Sequence, residues 1–237
     1  MSARKRLFAG SFIVALLSAC NSPQPPLGAY QMMSSGSPGP STAGQVVDDM
    51  SDGDNRILEA GNRGGYWYTY KDAVSTVWPA TGVFQMSAPG RGDADFAARM
   101  TGTLGPGGTL YVGMGFSFTE PKAMYDATLE GACAGLRFWV RAGTFHGATP
   151  LRLKMPDANT DPDGGVCTNC YDDHGFDVTV APSEWSLVEI PFADMTQEGW
   201  GSPRASFEPA RAYGIQWQVN RPSGAAIDLW VDDIALF

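Results

Sequence analysis

Three short stretches hold side chains whose type and spacing could do chemistry. In Leu136-Arg137-Phe138-Trp139-Val140-Arg141, alternation puts Leu136, Phe138 and Val140 on one side of an extended chain and Arg137, Trp139 and Arg141 on the other. The same split in residues 151–155 turns Arg152 and Lys154 away from the core, and in residues 215–220 it turns out Gln216, Gln218 and Asn220. If these strands share a sheet, one face combines an indole with forked cations and amides. An indole stacks on the apolar face of a pyranose, and guanidinium, ammonium and amide groups bind its hydroxyls. The expectation is a shallow polysaccharide groove centred on Trp139. A solvated sheet face with Trp139 covered by a loop is the competing reading.

Other reactive groups point less clearly to a reaction. Cys167-Thr168-Asn169-Cys170 lies in a Gly, Asp and Asn-rich loop followed by His174, a spacing open to zinc or to a local disulfide. The missing fourth local ligand and an oxidising exported compartment favour the Cys167–Cys170 disulfide. Cys133 reads as a small buried filler. Asp172/Asp173 and Glu184/Glu189 are carboxylate pairs of the kind a glycosidase uses. The chain nevertheless lacks Gly-x-Ser-x-Gly, His-Glu-x-x-His and a phosphate-cradling glycine loop, and its two histidines are His146 and His174. A noncatalytic protein is the expectation.

The elements that position these groups are strands. The chain has 237 residues, 43% hydrophobic and only 17% charged, with 29 Gly and 17 Pro, which fits one medium domain with extensions. Apolar residues alternate in short runs between Gly, Pro, Asn and Asp, with no helical period sustained over three turns. The runs predict strands at 46–50, 65–70, 95–101, 110–118, 136–141, 151–155, 176–180, 186–191, 213–219 and 227–237. So many strands in one domain must pack as two antiparallel sheets, because a single open sheet would leave an apolar face wet. The expected fold is all-β, a jelly-roll β-sandwich. Dense aromatics at Trp67, Tyr68 and Tyr70 could line a cleft, but core packing under loops is the favoured reading; Trp78 and Trp200 sit beside Pro79 and Gly201 in expected loops.

The N-terminus carries a different message. Arg4-Lys5-Arg6 precedes an apolar run at 7–17 too short to span a bilayer, which is the layout of an export signal. Leu17-Ser18-Ala19-Cys20 resembles the lipobox of bacterial lipoprotein precursors, which implies cleavage after residue 19 and lipidation of Cys20. Residues 20–45, rich in Pro, Ser and Gly, read as a disordered tether, leaving 46–237 as the folded domain. Asn21, rather than aspartate, directs the expectation to the outer membrane or cell surface. Without its first 19 residues the chain carries a side-chain charge of −12, which repels nucleic acid.

Several segments resemble galactose-binding-like carbohydrate-binding domains of bacterial surface lipoproteins and polysaccharide-degrading enzymes. They are Val47-Asp48-Asp49 through Gly53-Asp54, Gly65-Tyr66-Trp67-Tyr68-Thr69-Tyr70, residues 136–141, Gly164-Gly165-Val166-Cys167, Cys170, Trp185, Pro191-Phe192, Gln197-Glu198-Gly199-Trp200-Gly201 and the closing Leu229-Trp230-Val231-Asp232-Asp233-Ile234. The resemblance covers nearly all of 46–237. It implies a jelly roll that binds glycans on a concave sheet without catalysis. It also implies a structural calcium between the first and last strands, for which Asp49, Asp52 and Asp232 are the matching carboxylates. Ser51 departs from the pattern, where such domains commonly carry another acidic ligand. A protein-interaction platform and a carbohydrate-active enzyme on the same scaffold are the rival functions.

Overall fold

The computed structural model describes residues 45–92, 96–129, 134–143, 151–220 and 224–237. The signal segment, the tether up to residue 44, lipidation at Cys20, Cys133 and His146 lie outside the described residues. Eleven strands run through the rest: β1 (Gln45–Asp48), β2 (Trp67–Lys71), β3 (Thr76–Trp78), β4 (Ala98–Thr103), β5 (Val112–Ser117), β6 (Gly135–Ala142), β7 (Leu151–Met155), β8 (His174–Val178), β9 (Ser186–Pro191), β10 (Gly214–Val219) and β11 (Ala226–Leu236). The expected strands all form, with β7 and β9 at the expected bounds. β3 is additional. A three-residue strand ending at Trp78-Pro79 carries too little alternation to stand out from a loop.

Two antiparallel sheets face each other, as the expected jelly-roll sandwich requires. The first has the order β3-β4-β11-β6-β9, with β1 also on β11; the second has the order β2-β5-β10-β7-β8. β11 is long enough for β4 to pair along Ala226–Val231 and β1 to pair at Ile234–Leu236. The register on β6 shifts between Asp232 and Ala235, where Asp233 takes a positive φ of 47°. This is the signature of a bulge, which re-aims side chains and bends the strand.

Alternation seals the space between the sheets. Leu136, Phe138 and Val140 of β6 meet Leu151 and Leu153 of β7 and Ile215, Trp217 and Val219 of β10 in one buried cluster. Trp217 is its centre, stacked on Trp67 at 5.6 Å and meeting the edge of Phe138 at 5.4 Å. Each such ring contributes about 1.5–3 kcal/mol through burial, so the two sheets are fixed face to face by residues from β2, β6 and β10. Every second residue of those strands must then point outward.

Candidate functional site

On the outer face of the second sheet, cross-strand register lines up two parallel rows. Tyr68 pairs with Gly115, Gly115 with Gln216, Gln216 with Lys154 and Lys154 with Gly175. Tyr70 pairs with Gly113, Gly113 with Gln218, Gln218 with Arg152 and Arg152 with Asp177. Each row thus reads tyrosine, glycine, glutamine, cation across β2, β5, β10 and β7. From β2 to β8 the rows span about 19 Å, four interstrand spacings.

A glycine on β5 lets one of the tyrosines lie down. A Cβ on Gly113 would stand 2.1 Å from Cζ of Tyr70, so the ring rests on the bare backbone of β5. It reaches the next strand, where the Tyr70 hydroxyl donates to Oε1 of Gln218 at 3.3 Å; in the other row Nε2 of Gln216 donates to the Tyr68 hydroxyl at 3.0 Å. The rings of Tyr68 and Tyr70 lie 6.1 Å apart, and Tyr111 follows 6.1 Å beyond Tyr70. Burial pushes the Tyr68 hydroxyl up to about 12 and that of Tyr70 well above the usual phenol range. Both therefore stay neutral O–H groups on half-buried aromatic plates.

The cations are enclosed. Lys154 is 7% exposed and pairs with the buried carboxylate of Asp173 at 2.8 Å, while its Nζ also donates to the Tyr171 carbonyl at 3.2 Å. Arg152 is 6% exposed, pairs with Asp177 at 3.1 Å and donates to the Thr196 carbonyl at 2.5 Å. Oδ1 of Asp173 and Nε of Arg152 are buried with no hydrogen-bond partner. An unsatisfied buried acceptor and donor each cost free energy. On the same side, Lys122 pairs with Asp161 at 2.6 Å and Asp163 at 3.0 Å, clamping two loops together.

Of the expected groove residues, the structure gathers Arg152, Lys154, Gln216 and Gln218 on this face. Arg137, Trp139 and Arg141 lie on β6, in the other sheet, so the expectation of one shared face is corrected by strand order. Their face is packed by its own cations: the Arg91 guanidinium sits 4.3 Å above Trp139, and Arg141 lies between Trp185 at 4.9 Å and Trp230 at 4.5 Å. Arg99 covers Trp230 from 4.5 Å and is held by Asp228 at 2.9 Å. The sequence reading also passed over Tyr68 and Tyr70 in favour of core packing. Only Trp67 and Thr69 turn inward. The signal was present in the alternation of Trp67-Tyr68-Thr69-Tyr70, and in Gly113 and Gly115 alternating with the core residues Val112, Met114 and Phe116. Trp78, expected in a loop, ends the edge strand β3.

The remaining candidates have structural partners. Cys167 and Cys170 form a disulfide, and His174, the third member of the zinc alternative, is buried against Asp157 at 3.3 Å and the Ala205 carbonyl at 2.8 Å. Asp172 accepts the backbone N–H groups of Glu198, Gly199 and Gly201. Glu189 is paired in register with Arg137 on the first sheet, away from Asp172 and Asp173. The carboxylates matched to calcium accept hydrogen bonds from nearby donors. Asp49 accepts from Ser51, Asp52 from the Asp54 N–H, and Asp232 from the N–H groups of Arg91 and Asp233. Among the described residues no three His, Cys, Asp or Glu side chains converge.

No protein-family model matches the chain. Endoglucanase 3 of Fibrobacter succinogenes is 26% identical over 208 residues, 83% of this chain, and the chain spans 28% of that protein's length. Among solved structures, a family 11 carbohydrate-binding module from Clostridium thermocellum, in complex with a β-1,3-1,4-mixed-linked tetrasaccharide, is similar at a TM-score of 0.53 and 16% identity, over 83% of this chain and 97% of that one. The family 30 module of the cellulosomal cellulase Cel9D-Cel44B of the same organism is similar at a TM-score of 0.50 and 12% identity, over 77% and 96%. The described chain therefore has the jelly-roll β-sandwich fold of carbohydrate-binding modules.

Proposed function

We propose that this protein is a noncatalytic polysaccharide-binding lipoprotein that holds a β-linked glucan across the Tyr68 and Tyr70 face, with Cys20 lipidated and the domain displayed from the cell envelope. The observation that carries the reading is the pair of tyrosine, glycine, glutamine and cation rows. The half-buried tyrosine rings offer stacking to the apolar faces of pyranoses, and the amides and charged groups beside them offer hydrogen bonds to equatorial hydroxyls. The bound tetrasaccharide of the family 11 module and the endoglucanase similarity support a β-glucan as the ligand class.

Calorimetric titration of the purified domain with mixed-linkage and β-1,4 glucan oligosaccharides tests this. Tyr68→Ala and Tyr70→Ala should each weaken binding about tenfold or more, since one stacking ring contributes about 1–3 kcal/mol. Intact oligosaccharide after prolonged incubation supports the noncatalytic part; new reducing ends would overturn it. Failure of the wild type to bind any glucan would overturn the ligand class and favour a protein-interaction platform.

A further inference from the structure

The face does not end at β8. Lys154, in the first row, holds the Tyr171 carbonyl and the Asp173 carboxylate, so residues 171–173 stand as a wall beside the row. That wall is tied to a second loop. Thr168 and Asn169 donate their N–H groups to the Ser202 carbonyl at 2.9 and 3.3 Å, and Ser202 returns an N–H to Asn169 at 3.0 Å. The Asn169 amide donates to the Trp200 carbonyl at 2.5 Å, and Asp172 gathers the N–H groups of Glu198, Gly199 and Gly201 from below. The Cys167–Cys170 disulfide closes the first loop just before Tyr171.

This bracing presents two large aromatics rather than hiding them. Tyr171 is 61% exposed and Trp200 52% exposed. Tyr171 also holds a φ of 73°, a left-handed conformation that is a rare and costly choice for an aromatic residue. Its N–H is fixed on the Thr160 carbonyl at 2.9 Å and its own carbonyl on Lys154. A loop kept rigid by a disulfide, a buried carboxylate and cross-loop hydrogen bonds loses little conformational entropy when a ligand docks on it.

We propose that Tyr171 and Trp200 form a rim subsite that stacks on sugar units of the same glucan beyond those lying over the two rows. The proposal rests on the polysaccharide reading of the face and assigns its occupant by continuity, because Lys154 belongs to both. The rim therefore reads chain length, while Tyr68 and Tyr70 provide basal affinity.

The test is a calorimetric length series of β-glucan oligosaccharides, from trisaccharide to hexasaccharide and polymer, against the wild type, Tyr171→Ala, Trp200→Ala and Tyr68→Ala. Both rim variants should lose about three- to tenfold in affinity for the hexasaccharide and polymer and leave the trisaccharide unchanged. Tyr68→Ala should weaken every length. The double variant Cys167→Ser, Cys170→Ser, checked for an unchanged core by circular dichroism, should reproduce the length-selective loss. Rim variants that keep full long-chain affinity, or that weaken all lengths equally, overturn the rim subsite while leaving the face intact. A wild type without glucan affinity overturns both.

Discussion

Tyr70 lies directly on Gly113, with no room for even one methyl group between ring and backbone: an added Cβ would stand 2.1 Å from Cζ. The absence of a side chain at one position of β5 thus sets the orientation of a ring on β2 and its reach to Gln218 on β10. Gly113→Ala should tilt the Tyr70 ring off the sheet and break its bond to Gln218. Glucan affinity should fall about tenfold, the scale of losing one stacked ring. Gly113 has an ordinary strand conformation, so the domain should remain folded, and a melting curve beside the titration separates the two effects. Unchanged affinity would mean that the flat ring is not used.

Much of this arrangement was legible and one step was not. Alternation marked Arg152, Lys154, Gln216 and Gln218 as outward, and they are, because strands packed on one face must expose every second residue. The same rule marked Arg137, Trp139 and Arg141 as outward, and they are too. Which outward residues share a sheet depends on strand order, set by pairings between residues far apart in sequence, such as Gln216 with Lys154. No local pattern encodes that. Tyr68 and Tyr70 were misread because aromatic density suggests core, whereas their alternation with Trp67 and Thr69 carried the correct information.

Trp139 should matter for stability rather than for the glucan. Its ring carries the Arg91 guanidinium, and the same arginine binds Asp233 through its side chain and Asp232 through its N–H. Trp139→Ala should lower unfolding free energy in urea by about 1–3 kcal/mol, from lost ring burial and the cation–π contact. Glucan affinity should not change. A tenfold loss of binding without destabilisation would move the binding face to the first sheet.

Stability should fall as pH rises from about 4 to 8. Burial pushes Asp48 and Asp232 each up to about 7 from an ordinary value near 3.8, although each accepts N–H donors that oppose the shift. A raised carboxyl contributes stability fully below its unfolded value and loses it as pH rises through the folded one. His174, raised by its bonds to Asp157 and Ala205 against the opposing effect of burial, acts in the same direction above its usual range. Thermal melting across this window should show the decline, and Asp232→Asn should flatten its slope even though an amide facing two N–H donors lowers stability overall. A melting temperature that rises steadily from pH 5 to 8 would contradict the assignment.

Anchoring can be tested apart from binding. If Cys20 is lipidated as proposed, Cys20→Ser should remove the acceptor thiol and shift the protein from membrane to soluble fractions, because the Pro, Ser and Gly composition of residues 21–45 offers no apolar anchor. Mass spectrometry should find acyl chains on the wild type only. A wild type without an acyl adduct, partitioning as the variant does, would refute lipidation.

The final prediction concerns charge. The face carries Lys154 and Arg152, which invites an acidic polysaccharide, yet each cation already has a carboxylate: Asp173 at 2.8 Å and Asp177 at 3.1 Å. An incoming uronate would meet these carboxylates as well as the cations, so neutral glucans should be preferred and their affinity should change less than about twofold as salt rises from about 0.05 to 0.5 M. Asp173→Asn keeps the shape and removes the charge that neutralises Lys154. A buried ammonium left without its counter-ion costs about 3–5 kcal/mol, so this variant should melt lower, and an acidic glycan should restore part of the loss by supplying the missing charge. Its affinity for acidic glycans should rise and become salt-sensitive. If the wild type already prefers a uronate polymer and loses it in high salt, the two cations are not neutralised as the pairs require, and the ligand class changes with them.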